Sequence, residues 1–167
     1  MSAVISECGN YRTRLERVVQ DHQLVSVART ILWVMLNPST ADAWKDDQTI
    51  RKVRAFSLRW GFHRALVGNL FAYRSTDPYR MWKARHEGRD IVGPGNDEEL
   101  VSMAKAAELV VCAWGAHAET WPERAQGVAQ LLLAANPNVK ALKFTNSGQP
   151  YHPLYLPLDT ELLPWAA

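Results

Sequence analysis

The chain has 167 residues, 47% of them hydrophobic, and this length supports one well-formed core, so we expect a single α/β domain over residues 1–167. The two cysteines, Cys8 and Cys112, lie far apart, which argues against a disulfide framework or a cysteine metal cluster and favours a reducing cytoplasm. The sequence contains no long apolar run and no basic start followed by an apolar core, so we expect neither membrane insertion nor secretion.

The net charge of +2 conceals a strongly basic middle segment. Residues 51–89 carry ten Lys or Arg against two Asp or Glu, whereas residues 90–167 carry four against nine. Aromatic side chains alternate with these cations, a mixture that suits a phosphate backbone and unstacked bases. Four of the cations are predicted to contact nucleic acid: Arg51, Arg54, Lys83 and Arg85. The alternative is that the basic residues only form the solvated faces of two helices.

The first half of the chain begins with a segment of alternating character. Residues 11–19 predict an outer antiparallel strand, and a second extended piece over 24–27 is expected beside it. An apolar strand over 32–36 comes next. Apolar residues then recur at helical spacing over 49–60, so we expect a helix that ends at Gly61.

In the second half, strands alternate with helices. Strands are predicted over 65–68, 109–113 and 140–144. Helices are predicted over 96–107 and 122–135, with Asn96 as an N-cap, and a short helix or an ordered loop is predicted over 77–85. The alternation predicts a three-layer sandwich around a mostly parallel central sheet, with an antiparallel edge at the N-terminus.

The four apolar strands each run into a polar turn. These turns contain Asn37, Asn69, His117 and His152. Because open α/β sheets bind ligands beyond the carboxyl ends of their strands, we expect a site at this edge. Pro38 restricts the residue before it to extended geometry and so holds Asn37 at the strand tip.

Several common chemistries lack their sequence signatures here. No glycine-rich nucleotide loop follows a strand, no histidine and cysteine spacing suits zinc, and no serine lies in a nucleophile elbow. The sequence therefore predicts no cofactor and no metal centre.

Seven motifs together resemble a bacterial and phage-borne family of domains of unknown function. They are NPSTAD, DD-x-T-I-R, WGF, NLFAYRSTDP, VGPGND, WGAHA and HPLYLP, and they span nearly the whole chain. The order of elements is also distantly similar to the uracil-DNA glycosylase superfamily. In this chain, four sets of residues stand where the superfamily has its motifs. They are Asn37-Pro38, Asn69 with Arg74 and Pro78, Gly115 with Ala118, and His152-Pro153.

The second resemblance implies a uracil-DNA glycosylase-like fold and a DNA glycosylase that cleaves the N-glycosidic bond of a uracil-like, damaged or modified base. Asn37 would hold the attacking water, and Asn69 would bind a pyrimidine edge. His152 would donate to a base carbonyl oxygen or hold the phosphate backbone. The other predicted substrate contacts are Ser39, Asp46, Asp47, Arg74, His117 and Tyr151.

Two departures from the superfamily pattern leave alternatives open. Leu154 stands where a phosphate-binding serine is usual, and Tyr151 or Tyr155 would replace that serine. Trp44 followed by Asp46-Asp47 replaces an aromatic that stacks on the base. The two carboxylates would bind a metal, activate water or simply cap the helix that follows. The alternative function is a non-catalytic nucleotide or nucleic-acid binding module with the same pocket, and a weaker one is an enzyme acting on free nucleosides.

Overall fold

The computed structural model describes residues 2–20, 28–39 and 45–165. Within these residues, seven strands form one sheet and four α-helices pack on it. The strands are β1 (Ser2–Ile5), β2 (Arg12–Val18), β3 (Thr30–Met35), β4 (Arg64–Asn69), β5 (Leu109–Cys112), β6 (Val139–Ala141) and β7 (Leu163–Pro164). The helices are α1 (Gln48–Arg59), α2 (Pro78–His86), α3 (Asn96–Ala106) and α4 (Pro122–Ala135).

The sheet has the strand order β1-β2-β4-β3-β5-β6-β7. The four central strands, β4, β3, β5 and β6, are parallel, and both edges are antiparallel. The sheet is therefore mixed, and the expectation of a mostly parallel sheet holds only for its centre. Two short strands that the sequence did not predict, β1 and β7, add antiparallel pairs at the two edges.

The N-terminal antiparallel edge is present, but the predicted outer strand is not the outermost one. It corresponds to β2, which lies between β1 and β4. The extended piece predicted over 24–27 lies outside the described residues.

Helices cover both faces of the sheet. Leu32 and Val34 of β3 pack in the cluster that contains residues of α2, α3 and α4, whereas Trp33 and Met35 pack in the cluster of α1. All residues of β3 are buried, as expected for a central parallel strand covered on both sides.

One predicted helix start is wrong in detail. Gly95, with a φ of +70°, is the N-cap of α3, and Asn96 is the first helical residue. The Asn96 Nδ2 donates to the carbonyl oxygens of Asn69 and Leu70, at 3.1 and 3.3 Å. Asn96 therefore fixes α3 to the end of β4 rather than capping its own helix.

Of the helices that the structure describes, none has the length and apolar character that crossing a bilayer requires.

Candidate functional site

A cavity of about 480 Å³ lies at the carboxyl ends of the central strands. Its walls come from the segments that follow β3, β4, β5 and β6 and from the first turns of α1 and α2. Six of the residues predicted from the sequence line it: Asn37, Ser39, Asp47, His117, Tyr151 and His152. Asn37 and His152, separated by more than half of the chain, thus share one cavity, as the predicted common site requires.

The Asn37 side chain joins two strand-end loops. Its Nδ2 donates to the carbonyl oxygen of Ser75 at 2.8 Å and to that of Pro38 at 3.1 Å. The Ser75 N–H in turn donates to the Pro38 carbonyl at 2.9 Å. Both amide hydrogens are used in these contacts, so Oδ1 remains as the acceptor that Asn37 offers to a molecule in the cavity.

Asp47 is fixed in the cavity wall by two hydrogen bonds. As the N-cap of α1, its Oδ1 accepts from the Ile50 N–H at 2.8 Å, and its Oδ2 accepts from the Ser39 hydroxyl. The helix-capping alternative for Asp47 is therefore confirmed. Capping does not remove the carboxylate from the site, because Asp47 and Ser39 both line the cavity.

His152 is a neutral imidazole at physiological pH. Burial lowers the pKa of His152 to about 4, a shift that the charge of Asp47 opposes and that of His117 reinforces. The Leu154 N–H donates to Nδ1 at 3.4 Å, so the ring proton is on Nε2. His152 is thus an uncharged hydrogen-bond donor in the cavity wall.

Gly115 allows the turn after β5 to approach His152. Its φ of 77° and ψ of 177° lie in a region that essentially only glycine adopts. A Cβ at this position would stand 3.3 Å from the Cβ of His152. The Gly115 N–H donates to the Pro150 carbonyl at 2.8 Å, which holds the two segments together.

Asp46 is not part of the cavity wall. Its Oδ1 accepts from the Arg17 Nε at 2.6 Å and its Oδ2 from Arg54 at 3.0 Å. Burial raises the pKa of Asp46, but the hydrogen bonds from Arg17 and Arg54 outweigh burial and leave the pKa lowered. Asp46 links β2 to α1, and the cavity is left with one carboxylate of the predicted pair.

The structure does not bring Asn69 or Arg74 to the cavity. Asn69 is 1% exposed, and within the described residues neither its Oδ1 nor its Nδ2 has a hydrogen-bond partner. A guanidinium N–H of Arg74 donates to the Gly9 carbonyl at 3.0 Å, against the turn between β1 and β2. Asn69 is buried because β4 is a central strand whose last residue is covered, a tertiary effect that its polar character did not indicate.

The four predicted nucleic-acid contacts do not form one surface. Arg51 and Arg54 belong to α1 and Lys83 and Arg85 to α2, on opposite faces of the sheet. Arg54 binds Asp46, and Lys83 lies 3.9 Å from the carboxylate of Glu87 in the next turn. The Arg85 guanidinium stacks on the Trp121 ring at 3.7 Å.

The sequence analysis missed Arg12 as a residue of the site. Arg12, only 2% exposed, lines the cavity, but in sequence it looks like every other charged position of an alternating strand. Tyr155 also lines the cavity, with its ring centroid 5.8 Å from that of His152. Both tyrosines considered as replacements for the usual serine, Tyr151 and Tyr155, thus line the cavity.

Among the described residues, no group of three or more His, Cys, Asp or Glu side chains is placed to hold a metal ion.

Over residues 12–154 the sequence matches the family described as "Protein of unknown function (DUF1643)", and the chain belongs to this family. The matched range includes all six predicted residues that line the cavity. No curated protein and no solved structure matches the chain.

Proposed function

We propose that this protein is a DNA glycosylase-like hydrolase that binds one nucleobase in the cavity and cleaves its N-glycosidic bond. The observation that carries the proposal is the convergence of Asn37, Asp47 and His152 on one cavity of about 480 Å³. A cavity of this volume accommodates a base with its sugar. Both cysteines are free, which suits a reducing compartment such as the cytoplasm.

His152 would stabilise the departing base. Cleavage of a glycosidic bond passes through an oxocarbenium-like sugar while negative charge builds on the leaving group. A donor that is already neutral, with its proton on Nε2, binds a base carbonyl oxygen in both the ground state and the transition state. That bond strengthens as the carbonyl oxygen gains charge, so it favours the transition state.

Asn37 and Asp47 would act on the other reactant, water. The Oδ1 of Asn37 is an acceptor able to orient a water molecule, and the Asp47 carboxylate places a fixed negative charge near the positive sugar. The water oxygen forms the new bond to C1′, and the C1′–N bond breaks with its electron pair going to the base. The proton that water loses passes to the Asp47 carboxylate.

The strand order supports the resemblance to the uracil-DNA glycosylase superfamily. The four motif-bearing strands are neighbours, in the order β4-β3-β5-β6, and all are parallel. Their carboxyl ends therefore meet at one edge, where that superfamily's chemistry needs its motifs.

One observation favours a second candidate, a nucleotide or nucleic-acid binding module without catalysis. The Asp47 carboxylate already accepts hydrogen bonds from Ile50 N–H and the Ser39 hydroxyl. Both carboxylate oxygens are therefore already engaged as acceptors, which leaves fewer lone pairs free to take a proton from water.

The test is incubation of the purified protein with oligonucleotides bearing uracil, mismatched thymine or modified cytosines, followed by alkaline scission of abasic sites. We expect scission at one class of base. Free nucleosides, assayed by release of the base, form the parallel arm. Binding of a base or nucleotide without release of any base would overturn the hydrolase and support the binding module.

A further inference from the structure

Two tyrosines beside the cavity have their side chains largely in water. Tyr79 is 71% exposed and Tyr155 is 77% exposed, the highest values among the large hydrophobic side chains of the described residues. Tyr155 lines the cavity, and Tyr79 directly follows Pro78, which also lines it. Exposed aromatic rings concentrated at the opening of one cavity indicate a binding function rather than core packing.

Each of these tyrosines is positioned by a histidine of the cavity wall. The ring centroids of Tyr79 and His117 are 5.7 Å apart in an edge-to-face arrangement, and those of Tyr155 and His152 are 5.8 Å apart. The two tyrosines come from different segments, the first turn of α2 and the turn after His152. They therefore border the cavity as two separate platforms.

Two exposed arginines are sequence neighbours of residues that line the cavity. Arg51 follows Thr49 and Ile50, which line the cavity from α1, and Arg80 follows Tyr79 in the first turn of α2. Each of the two helices thus has one exposed cation in the first turn, the turn that contributes to the cavity wall. Exposed cations in these turns, together with the two tyrosines, suit a phosphate backbone that passes the opening.

Resting on the proposed function, we propose that Tyr79 and Tyr155 stack on the bases flanking the one in the cavity, and that the substrate is single-stranded nucleic acid. Bases in a duplex are already stacked on each other, whereas bases of a single strand gain stacking on exposed rings. The four basic residues predicted to contact nucleic acid fit this substrate, because the helices that carry them pack on opposite faces of the sheet and do not offer a duplex one surface.

The experiment measures fluorescence anisotropy of a labelled thymidine oligonucleotide, alone or annealed to its adenosine complement. We expect tighter binding of the single strand. Tyr79→Ala and Tyr155→Ala should each weaken single-strand binding by about 5-fold or more, the loss expected for one stacked base. Tyr79→Phe and Tyr155→Phe keep the ring and should retain most of the affinity.

Leu58→Ala is the matched control, since Leu58 is 50% exposed on α1 and does not line the cavity. It should leave single-strand affinity unchanged. Equal affinity for the duplex, or full affinity in the Tyr79→Ala, Tyr155→Ala double variant, would overturn the inference. Single-strand binding that depends on both rings but yields no base release would overturn the hydrolase and leave this inference standing. Base release that does not depend on the two rings would overturn this inference and leave the hydrolase standing.

Discussion

At the scale of single residues, the state of His152 follows from its surroundings rather than from its position in a motif. Burial keeps the imidazole neutral and the Leu154 N–H selects the tautomer with the proton on Nε2. A neutral donor of this kind remains available at any pH above its pKa of about 4. The acid limit of activity attributable to His152 should therefore lie near that value and not near the ordinary value for histidine.

The same pKa predicts how stability depends on pH. The pKa of His152 falls from 6.5 in the unfolded chain to about 4 in the folded one, so the unfolded state binds more protons between these values. Its contribution to stability is complete above pH 6.5 and falls as pH is lowered towards 4, by at most about 3 kcal/mol. Urea unfolding across this range should show a shallower loss in His152→Asn, which keeps an acceptor for the Leu154 N–H but does not titrate.

Gly115→Ala tests the close approach of the β5 turn to His152. The added methyl group enters a backbone region closed to other residues and meets the His152 Cβ at 3.3 Å. We expect a loss of about 1–3 kcal/mol in thermal unfolding and a further loss of base release, because His152 is displaced.

Gly148→Ala is the matched control for this substitution. Gly148 has a φ of +81°, but a Cβ there would meet nothing within 4 Å. It should lower stability while leaving base release unchanged. Equal effects of the two substitutions on base release would contradict the account of Gly115.

At the scale of elements, α1 is held in register with the cavity by the two aspartates before it. Asp46 binds Arg17 of β2, whose side chain is fully buried, and Asp47 caps the helix while forming part of the wall. Asp46 thus anchors α1 to β2, and Asp47 lines the cavity. The position of the Asp47 carboxylate depends on the ion pair of Asp46.

Asp46→Asn should destabilise the fold by about 2–3 kcal/mol, because it weakens a charged hydrogen bond to a buried guanidinium. The pKa of Asp46 is lowered in the folded state, so its contribution is present above the unfolded value of 3.8 and is lost as pH falls below it. Chemical denaturation at neutral pH measures the effect. Glu87→Gln, which breaks the exposed Lys83–Glu87 pair, should change stability by less than about 0.5 kcal/mol.

At the scale of the whole molecule, the parallel strand order assembles the site. Sequence patterns predicted the four central strands, because apolar runs ending in polar turns are characteristic of buried parallel strands. They also predicted that Asn37 and His152 meet. Asn69 follows an apolar run in the same way but does not reach the cavity, because α3 covers the end of β4. That covering depends on tertiary packing, which the sequence pattern does not show.

The charge distribution is a second feature whose arrangement in space the sequence alone did not predict. The basic segment is visible in the sequence, but its two helices pack on opposite faces of the sheet. Its positive charges therefore do not form one basic surface. Arg54 and Arg74 are engaged within the fold, Arg54 by Asp46 eight residues earlier and Arg74 by the Gly9 carbonyl, which is distant in the chain. Arg12 was missed because its place in the cavity wall also depends on tertiary packing, which the alternating sequence pattern does not show.

The central claim is that Asn37 and His152 act together on a base bound in the cavity. Single-turnover base release by the wild type, Asn37→Ala and His152→Ala, on whichever oligonucleotide the wild type cleaves, tests it most directly. Each substitution should lower the rate by about two orders of magnitude or more, while oligonucleotide affinity changes little, because each group acts mainly in the transition state. Wild-type rates in both variants, or rates that fall only in proportion to affinity, would contradict the account.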